Sequence, residues 1–343
     1  TFDAPTVDDR VIVQACERFK QFTMPVYLIP GNHDPDAGPG SGGVYRRQTL
    51  VDHCPAHVHV LTDTTPVVVP DHDAIILPAP LRYKSVAGDP TAHLTAAFGR
   101  DTAGVTAATL RIGLAHGSVV GFTSDADGAA ATTLAPQRAA QAELDYLALG
   151  DWHGHKIIDP RTAYPGAPEL TGFRDNDAGQ ALVVTLADHA TLPTLTRVPV
   201  ATTQWIRKNL ELTTAAEVNA LADWFNAIDR PTHTLVRLEL RGALPLAELQ
   251  RLNALLDAQA HRLLHLRRRG PGIHAQPTDD EIDNLASDGY LRDAVAQLRD
   301  AANDPHNTDD ARAAADALHL LHRLRTEAQQ QAPQQNQATG ATA

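Results

Sequence analysis

Three clusters of polar residues, each directly behind an apolar run, carry side chains that bind divalent metal ions. They are Gly31–Asp34, His116–Ser118 and Gly150–His155, which read GNHD, HGS and GDWHGH. Asn, Asp and His without Cys suit an ion such as Mn²⁺, Zn²⁺ or Fe²⁺ better than a thiolate zinc site. For Gly31–Asp34 the alternative interpretation is an Asx turn with a bystander histidine, and for any one histidine a surface or core role is commoner than ligation. Three clusters at three strand ends favour one shared metal site.

The apolar runs ahead of the clusters predict the strands that position them. Val26–Ile29 predicts a buried strand, and Leu110–Ala115 and Tyr146–Leu149 predict two more. An amphipathic helix is expected from Thr6 to Phe22, with Thr6 as its N-cap. Because strand ends of a layered α/β sheet meet at one edge, the clusters should meet there. Further strands are predicted at Val58–Leu61, Val67–Val69, Ala74–Leu77 and Ala181–Leu186.

A change of pattern beyond Pro199 predicts a second, smaller domain. It reads as strand, helix, strand, helix, strand and ends near Gly270–Gly272. A charged helical region follows, and then a Gln/Ala-rich tail whose composition is typical of disorder. We therefore expect an α/β protein with a domain at 1–199, a second at 200–272, a helical region at 273–327 and a tail at 328–343. The predicted elements of the second domain are Ile206–Leu212, Thr214–Ile228, a strand through Val236, Leu238 and Leu240, Leu244–Ala258 and Leu263–Leu266.

The composition limits the classes of protein to which the chain belongs. With 343 residues, 43% hydrophobic and 20% charged, it is globular rather than collagen-like, disulfide-rich or wholly disordered. Its net charge of −12 opposes polyanions, so nucleic acid would need a local basic patch or bound cations. No run approaches about 18 apolar residues, which predicts no membrane span. Cys16 and Cys54 lack CxxC or zinc-finger spacing, so we expect buried thiols in a cytoplasmic protein.

The order of the clusters resembles the signature of the calcineurin-like metallophosphoesterases. That signature runs D-x-H, G-D-x-x-D/H, G-N-H-D/E, H and G-H-x-H. Within this superfamily the chain is most similar to the SbcD/Mre-type DNA repair exonuclease branch, because a Tyr-x-Gly-x-x-Glu segment, Tyr164–Glu169, and then Gly172 and Phe173 follow the last cluster. The resemblance is good over residues 1–200 and weaker over 200–270. It implies a layered metallophosphoesterase β-sandwich flanked by helices, a small α+β cap domain and a helical C-terminal region.

The resemblance also implies a cofactor, two divalent metal ions, with Mn²⁺ favoured and Zn²⁺ or Fe²⁺ as alternatives. Asn32 and His116 would ligate the second ion. His33 would not ligate but would protonate the leaving oxygen or stabilise the transition state. A metal pair clamps a phosphate, lowers the pKa of a bridging water and neutralises charge on the phosphate oxygens. The implied activity is hydrolysis of phosphodiester bonds.

The last cluster admits two registers on the family's final pair of histidines. In the favoured register Asp151 and His153 are ligands, because Gly150 follows the strand as the family's glycine does. Aspartate then replaces the first histidine, and it remains a competent ligand. In the alternative register His153 and His155 are the pair, two residues further from the strand. Distance from a rigid strand decides which side chains reach the site.

Two motifs of the family do not occur in this sequence. Thr1–Asp3 looks like the end of G-D-T-F-D, so the Gly-Asp that supplies the bridging carboxylate would lie upstream. The D-x-H of the first strand is missing as well, since D-x-H occurs only at Asp151–His153 and Asp304–His306. We therefore expect that this sequence is a truncated form of a longer, active protein, and that the chain by itself is weakly active or inactive.

Basic residues offer candidates for contact with substrate. Arg161 and Arg174 lie near the last cluster, although a solvated surface is the commoner fate of such residues. The densest basic patch is His261–Arg269, in which Arg267 and Arg268 could follow a nucleic-acid backbone. A basic edge strand protected from aggregation explains the patch equally well.

Three functions are compatible with these features. The first is a DNA repair exonuclease or endonuclease subunit that acts on DNA with an SbcC-type coiled-coil ATPase. The C-terminal helices, with Leu318, Leu321 and Leu324, would dock that partner or pack on the cap, and a homodimer is a further option. The second is a general phosphoesterase for small substrates, because fold alone does not set the substrate. The third is an inactive, partner-binding fragment.

Overall fold

The computed structural model shows a mixed α/β protein that divides into two compact units, Thr1–Thr202 and Thr203–Ala343. In the part of the chain that it describes, no helix is long and apolar enough to cross a membrane. The predicted tail, 328–343, lies outside the described residues. The described residues are 1–38, 40, 42–121, 132–173, 177–276, 290–302, 311, 313–318, 320, 321 and 324.

The first unit contains three helices and twelve strands among its described residues. All seven strands predicted in this unit are present, with ends that differ by one or two residues. In chain order the elements are α1 (Asp9–Phe19), β1 (Val26–Leu28), a 3₁₀ turn (Val44–Arg46), α2 (Gln48–His53), β2 (Val58–Val60), β3 (Val67–Val68), β4 (Ala74–Ala79), β5 (Leu110–His116), β6 (Ser118–Val119), β7 (Thr133–Leu134), α3 (Arg138–Gln141), β8 (Tyr146–Gly150), β9 (Lys156–Asp159), β10 (Thr162–Tyr164), β11 (Gln180–Thr185) and β12 (Thr194–Pro199).

A six-stranded sheet forms the centre of this unit, in the spatial order β3-β4-β5-β8-β10-β9. Strands β4, β5, β8 and β10 are parallel, and the edge strands β3 and β9 pair antiparallel with their neighbours. Ile75, Leu77 and Leu147 are among its fully buried side chains. Such apolar strands are typical of a parallel sheet that is covered on both faces. Three two-stranded sheets, β1-β2, β6-β7 and β11-β12, accompany it.

The first helix differs from its prediction at both ends. Asp8, not Thr6, is the N-cap, because its carboxylate accepts a hydrogen bond from the backbone N–H of Arg10 at 2.8 Å. The buried face of α1 includes Ile12 and Cys16. The prediction of two buried thiols is right for Cys16, whereas Cys54 is only partly buried.

A buried arginine holds the irregular chain between β4 and β5 against the sheet. Arg111, on β5, is only 2% exposed. Its guanidinium donates to the carbonyl oxygens of Thr95 at 3.0 Å, Phe98 at 2.9 Å, Ala142 at 3.2 Å and Glu143 at 3.3 Å. Burial lowers the pKa of Arg111, but the carbonyl oxygens satisfy its donors.

The second unit confirms the predicted order strand, helix, strand, helix, strand. Its three strands form a parallel sheet in the order β13-β14-β15, and its helices supply the other half of the core. Thr214 and Glu217 cap α4 reciprocally, which fixes its start. The elements are β13 (Gln204–Leu212), α4 (Ala215–Asn226), a 3₁₀ turn (Pro231–His233), β14 (Thr234–Leu244), α5 (Leu246–Arg262), β15 (His265–Ala275) and α6 (Tyr290–Ala302).

The third strand of this sheet is longer than predicted. It was expected to stop before Gly270, yet β15 continues to Ala275 with a register irregularity opposite Glu239 and Arg241. Gly270 and Gly272 have φ values of +93° and +88°, which glycine adopts without strain. A bulge therefore absorbs these glycines, and they do not end the strand.

Part of the predicted C-terminal helical region lies outside the described residues. Within the described part, α6 is helical and Val295 packs against Leu318, each 4% exposed. Leu321 joins this cluster, whereas Leu324 is 52% exposed. Two of the three leucines expected to dock a partner thus pack within the region itself.

Candidate metal site

The three motif clusters meet at one edge of the six-stranded sheet. His116 ends β5 and Gly150 ends β8, and the two residues are partners in the parallel register. The loop after β1 reaches the same edge, because the backbone N–H of Leu81, just beyond β4, donates to the carbonyl oxygen of Pro30 at 3.1 Å. The carboxyl ends of parallel strands are the usual place for ligands in such sheets.

Asn32, His116 and Asp151 form one hydrogen-bonded cluster at this edge. Nε2 of His116 lies 3.0 Å from Oδ1 of Asn32 and 3.6 Å from Oδ1 of Asp151. Nδ2 of Asn32 donates to the same carboxylate oxygen at 3.1 Å. The side chains of His116 and Asp151 are 20% and 21% exposed, so they are open to solvent on one side only.

Two glycines make the space that the imidazole of His116 occupies. A Cβ atom on Gly31 would lie 2.7 Å from Cε1 and 2.9 Å from Nδ1 of His116. A Cβ atom on Gly150 would lie 2.8 Å from Nδ1. Gly31 and Gly150 therefore leave room for the ring because they have no side chain, and each precedes a ligand candidate. The ring is held between two stretches of backbone.

Asp151 has an unusual backbone conformation directly after β8. Its φ is +107°, in a region that residues other than glycine rarely adopt. Ser118, two residues beyond His116, donates its hydroxyl to Oδ2 of Asp151 at 2.8 Å, which leaves Oδ1 towards Asn32 and His116. Strain of this kind persists where the surrounding structure imposes it, and functional sites are the common location.

The Tyr-x-Gly segment supports two of the motif loops. The buried hydroxyl of Tyr164 donates to the carbonyl oxygen of Gly117 at 2.6 Å and accepts from the backbone N–H of Val119 at 3.1 Å. Gly166 lies against the last cluster: a Cβ there would be 3.0 Å from the carbonyl oxygen of His153. Burial raises the pKa of Tyr164 far above its usual range, so its hydroxyl stays protonated as a donor.

A buried carboxylate supports the loop that carries Asn32 and His33. Asp34 is 1% exposed and accepts hydrogen bonds from the backbone nitrogens of Thr1 at 2.8 Å, Phe2 at 2.7 Å and Gly31 at 2.7 Å, and from the hydroxyl of Tyr45 at 2.6 Å. Burial would raise the pKa of Asp34, but the hydrogen bonds from Phe2 and Tyr45 are among the effects that lower it overall. Asp34 therefore fastens residues 1 and 2 to the Gly31 loop.

The proposed proton donor lies at the rim of the site. The side chain of His33 is 58% exposed, and its Nδ1 is 3.1 Å from the backbone oxygen of Asp3 and 3.5 Å from Oδ1 of the same residue. If Nδ1 carries the proton of that contact, Nε2 is the ring atom left for a substrate. His33 thus makes its side-chain contacts with Asp3 and not with the Asn32 cluster.

The structure brings Asp151, but neither His153 nor His155, to Asn32 and His116. His153 is exposed, and its backbone oxygen accepts from Ala167 at 2.7 Å. Nδ1 of His155 lies 3.1 Å from the carbonyl oxygen of Tyr164. Asp151, a ligand in the first register, thus joins the cluster, whereas His153, a ligand in both registers, does not.

Arg161 is the one candidate substrate arginine of the first unit that the structure describes, and it does not lie at this edge. Arg161 lies at the opposite end of the sheet, just before β10, where it contacts Asp145 and donates to the carbonyl oxygen of His189 at 3.0 Å. Arg174 lies outside the described residues. Arg267 is exposed on β15, whereas Arg268 pairs with Asp257 of α5 at 2.8 Å.

The donor set of the cluster fits one divalent ion. Two ligand atoms about 2.1 Å from an ion and at right angles to each other are about 3.0 Å apart. Nε2 of His116 and Oδ1 of Asn32 have this spacing, and Oδ1 of Asp151 lies 3.6 Å from the same nitrogen. Burial lowers the pKa of His116, against the opposing effect of the Asp151 carboxylate, and this favours the neutral imidazole that metals bind. The cluster consists of an amide and two ionisable groups. In the described ranges, no three His, Cys, Asp or Glu side chains are grouped to hold an ion.

Sequence reasoning missed the residues that support the cluster. Tyr45 and the contact of Ser118 with Asp151 were not predicted, because single hydroxyls have no distinctive spacing. The signal for Ser118 was its place in the HGS cluster, two residues after a ligand candidate, which returns its side chain towards the same edge.

Comparison with known proteins adds no relative to this picture, because no protein-family model and no curated protein matches the chain.

Proposed function

We propose that the chain carries one half of a dinuclear metal site and belongs to a metal-dependent phosphodiester hydrolase. The observation that supports this most is the convergence of Asn32, His116 and Asp151 from three separate strand ends, with spacings of 3.0 to 3.6 Å. The motif order resembles the calcineurin-like metallophosphoesterases. The mixed α/β sheet is compatible with their layered sandwich, which remains part of the proposal.

The residues have distinct roles in this proposal. Asn32, His116 and Asp151 would hold one ion, Mn²⁺ in preference to Zn²⁺ or Fe²⁺, as expected for amide, imidazole and carboxylate donors without thiolate. When bound, a metal pair of this family activates water and neutralises phosphate charge. His33, exposed at the rim, would deliver a proton to the leaving oxygen through Nε2. The resemblance assigns the bridging carboxylate and the remaining ligands to motifs that this sequence does not contain.

DNA is the substrate that we propose, in a repair exonuclease or endonuclease that works with an SbcC-type coiled-coil ATPase. The second unit supports this choice, because its exposed basic residues contrast with a chain of net charge −12. A phosphoesterase for small substrates is the second candidate, since the cluster itself places no demand on the size of the leaving group. We propose a cytoplasmic protein, with a homodimer as a further possibility.

The test compares wild type with Asn32→Ala and His33→Ala in Mn²⁺. Two proteins should be assayed, the present chain and the longest translated product that contains it. The substrates are labelled linear DNA and bis-p-nitrophenyl phosphate. Hydrolysis of DNA that both substitutions abolish supports the nuclease. Hydrolysis of the small ester alone supports the general phosphodiesterase.

Metal binding separates the remaining outcome from these two. Isothermal titration of Mn²⁺ into wild type and Asn32→Ala should show a site that the substitution weakens by 10-fold or more, as loss of a ligand does. If neither protein binds Mn²⁺ and neither substrate is cleaved, the proposal fails, and the inactive partner-binding fragment becomes the better explanation.

A further inference from the structure

A row of arginines crosses one face of the three-stranded sheet in the second unit. Arg207 of β13 is in register with Arg237 of β14, which is in register with Arg267 of β15. Residues in register on parallel strands project to the same face of a sheet. Because neighbouring strands are about 4.8 Å apart, the three Cα atoms span about 10 Å.

This face is the one that the helices α4 and α5 do not cover. Val236 and Leu238 alternate with Arg237 along β14, and they are buried in the core that the helices complete. Two basic residues of the neighbouring strands point to the helices instead. Lys208 lies over the ring of Trp224 at 4.8 Å, and Arg268 pairs with Asp257 on α5. The arginine row therefore faces away from the helices.

Positive charge on this face exceeds negative charge. Arg241 and Arg269 extend the row along the strands, so the face holds five arginines and two carboxylates, those of Glu211 and Glu239. Glu239 contacts Arg237 at 2.6 Å and Arg207 at 3.2 Å, and Glu211 contacts Arg241 at 3.2 Å. Neither Arg267 nor Arg269 makes an ion pair with another residue of the described ranges. A local excess of positive charge on an acidic chain marks a surface for a polyanion.

We propose that this arginine face binds single-stranded DNA. The inference rests on the proposed function for the choice of DNA. It adds the surface that holds the substrate and the strand form that this surface accepts. Arginine forks bind phosphate oxygens in a bidentate manner, and guanidinium planes stack on unpaired bases. A flat sheet face lets a single strand lie along it, whereas groove recognition of a duplex needs an inserted helix or ribbon.

The experiment measures binding without cleavage. Fluorescence anisotropy of labelled 20-nucleotide oligo-dT is followed with the full chain in EDTA, at several salt concentrations, with a hairpin duplex of equal length as competitor. The test variant is Arg207→Gln/Arg267→Gln. The matched control is Lys208→Gln/Arg268→Gln, which removes two charges from the same two strands on the helix-covered face.

The two variants should differ in their affinity for oligo-dT and in its dependence on salt. The test variant should bind oligo-dT roughly tenfold more weakly, and its slope of log affinity against log salt should fall by about 1.4, or 0.7 for each lost contact. The control should bind within about twofold of wild type, and circular dichroism melting should show both variants folded. Equal losses in the two variants, or a duplex bound as tightly as oligo-dT, would overturn the proposal.

This assay is independent of the metal site. The assay contains EDTA and no divalent ion, so its result does not depend on metal binding by Asn32, His116 and Asp151. If wild type binds oligo-dT but hydrolyses nothing in Mn²⁺, the proposed function fails and the arginine face stands. If wild type hydrolyses DNA but the arginine substitutions leave binding unchanged, the proposed function stands and the arginine face fails.

Discussion

The space around His116 makes the most direct test of the candidate metal site, through the substitution Gly31→Ala. No positive φ requires glycine at position 31, so alanine fits the backbone itself. The added methyl group would lie 2.7 Å from Cε1 and 2.9 Å from Nδ1 of His116. Carbon atoms in contact are about 3.5 to 4.0 Å apart, so the ring must move by about 1 Å.

A movement of that size is large for a ligand. Nε2 of His116 lies 3.0 Å from Oδ1 of Asn32, and a shift of about 1 Å changes every ligand spacing of the cluster. Misplacement by about 1 Å typically costs about 100-fold in rate. We expect Mn²⁺ affinity to fall at least tenfold, while overpacking lowers the free energy of unfolding by only about 1 to 3 kcal/mol.

Isothermal titration with Mn²⁺ measures the affinity, and thermal melting measures the stability. Gly172→Ala is the matched control, because a Cβ there meets no atom within 4 Å and no positive φ is involved. The control should match wild type in both measurements. A Gly31→Ala protein that binds Mn²⁺ within twofold of wild type would show that His116 is not a ligand in the position described.

Three further predictions concern single residues. Asp151→Gly should be more stable than Asp151→Ala by about 1 kcal/mol, the reverse of the usual order, because only glycine adopts a φ of +107° without strain. Both variants should lose Mn²⁺ binding. If urea unfolding finds the alanine variant more stable, the backbone of Asp151 is not strained. Arg111→Met should lower the free energy of unfolding by about 3 kcal/mol or more, because four carbonyl oxygens lose their donors. At the exposed Arg100, the same substitution should lower it by less than about 1 kcal/mol. Similar denaturation midpoints for the two variants would show that the hydrogen bonds of Arg111 do not stabilise the fold. Burial would raise the pKa of Asp89, but hydrogen bonds from Thr91, Arg138 and Ala135 lower it overall. The carboxylate therefore contributes to stability above its unfolded pKa of about 3.9, and this contribution is lost as pH falls through the lower folded pKa. Asp89→Asn should therefore destabilise the protein at neutral pH, with a deficit that narrows below about pH 4, and a deficit that is constant across urea titrations at several pH values would argue against this carboxylate.

The sequence predicted the elements that are marked by apolar runs. Leu110–Ala115 and Tyr146–Leu149 became β5 and β8 almost unchanged, because their apolar side chains have only the core to pack in. The strands that were missed are short or mostly polar: Lys156–Asp159 ends in charges, and Thr194–Pro199 alternates Thr with Leu and Val. Pairing with a neighbouring strand defines such segments, and that partner is remote in sequence.

Some residues of the candidate site could be predicted from the sequence and others could not. Asn32, His116 and Asp151 could be predicted, because each directly follows an apolar strand. The exposed position of His153 could not, since a glycine-containing loop does not fix the direction of its side chains. The strand Val26–Leu28 was expected to be buried and is only partly so, because β1 pairs with β2 alone among the described strands.

The buried guanidinium of Arg111 bears on the order in which the first unit folds. Residues 80–109 contain no helix or strand, so their path has no hydrogen-bonded ladder of its own. Two of the carbonyl oxygens that Arg111 binds belong to this stretch, those of Thr95 and Phe98. The stretch can adopt its native path only after β5 has joined the sheet and presented that side chain. These thirty residues are thus expected to become ordered late, after the sheet that supports them.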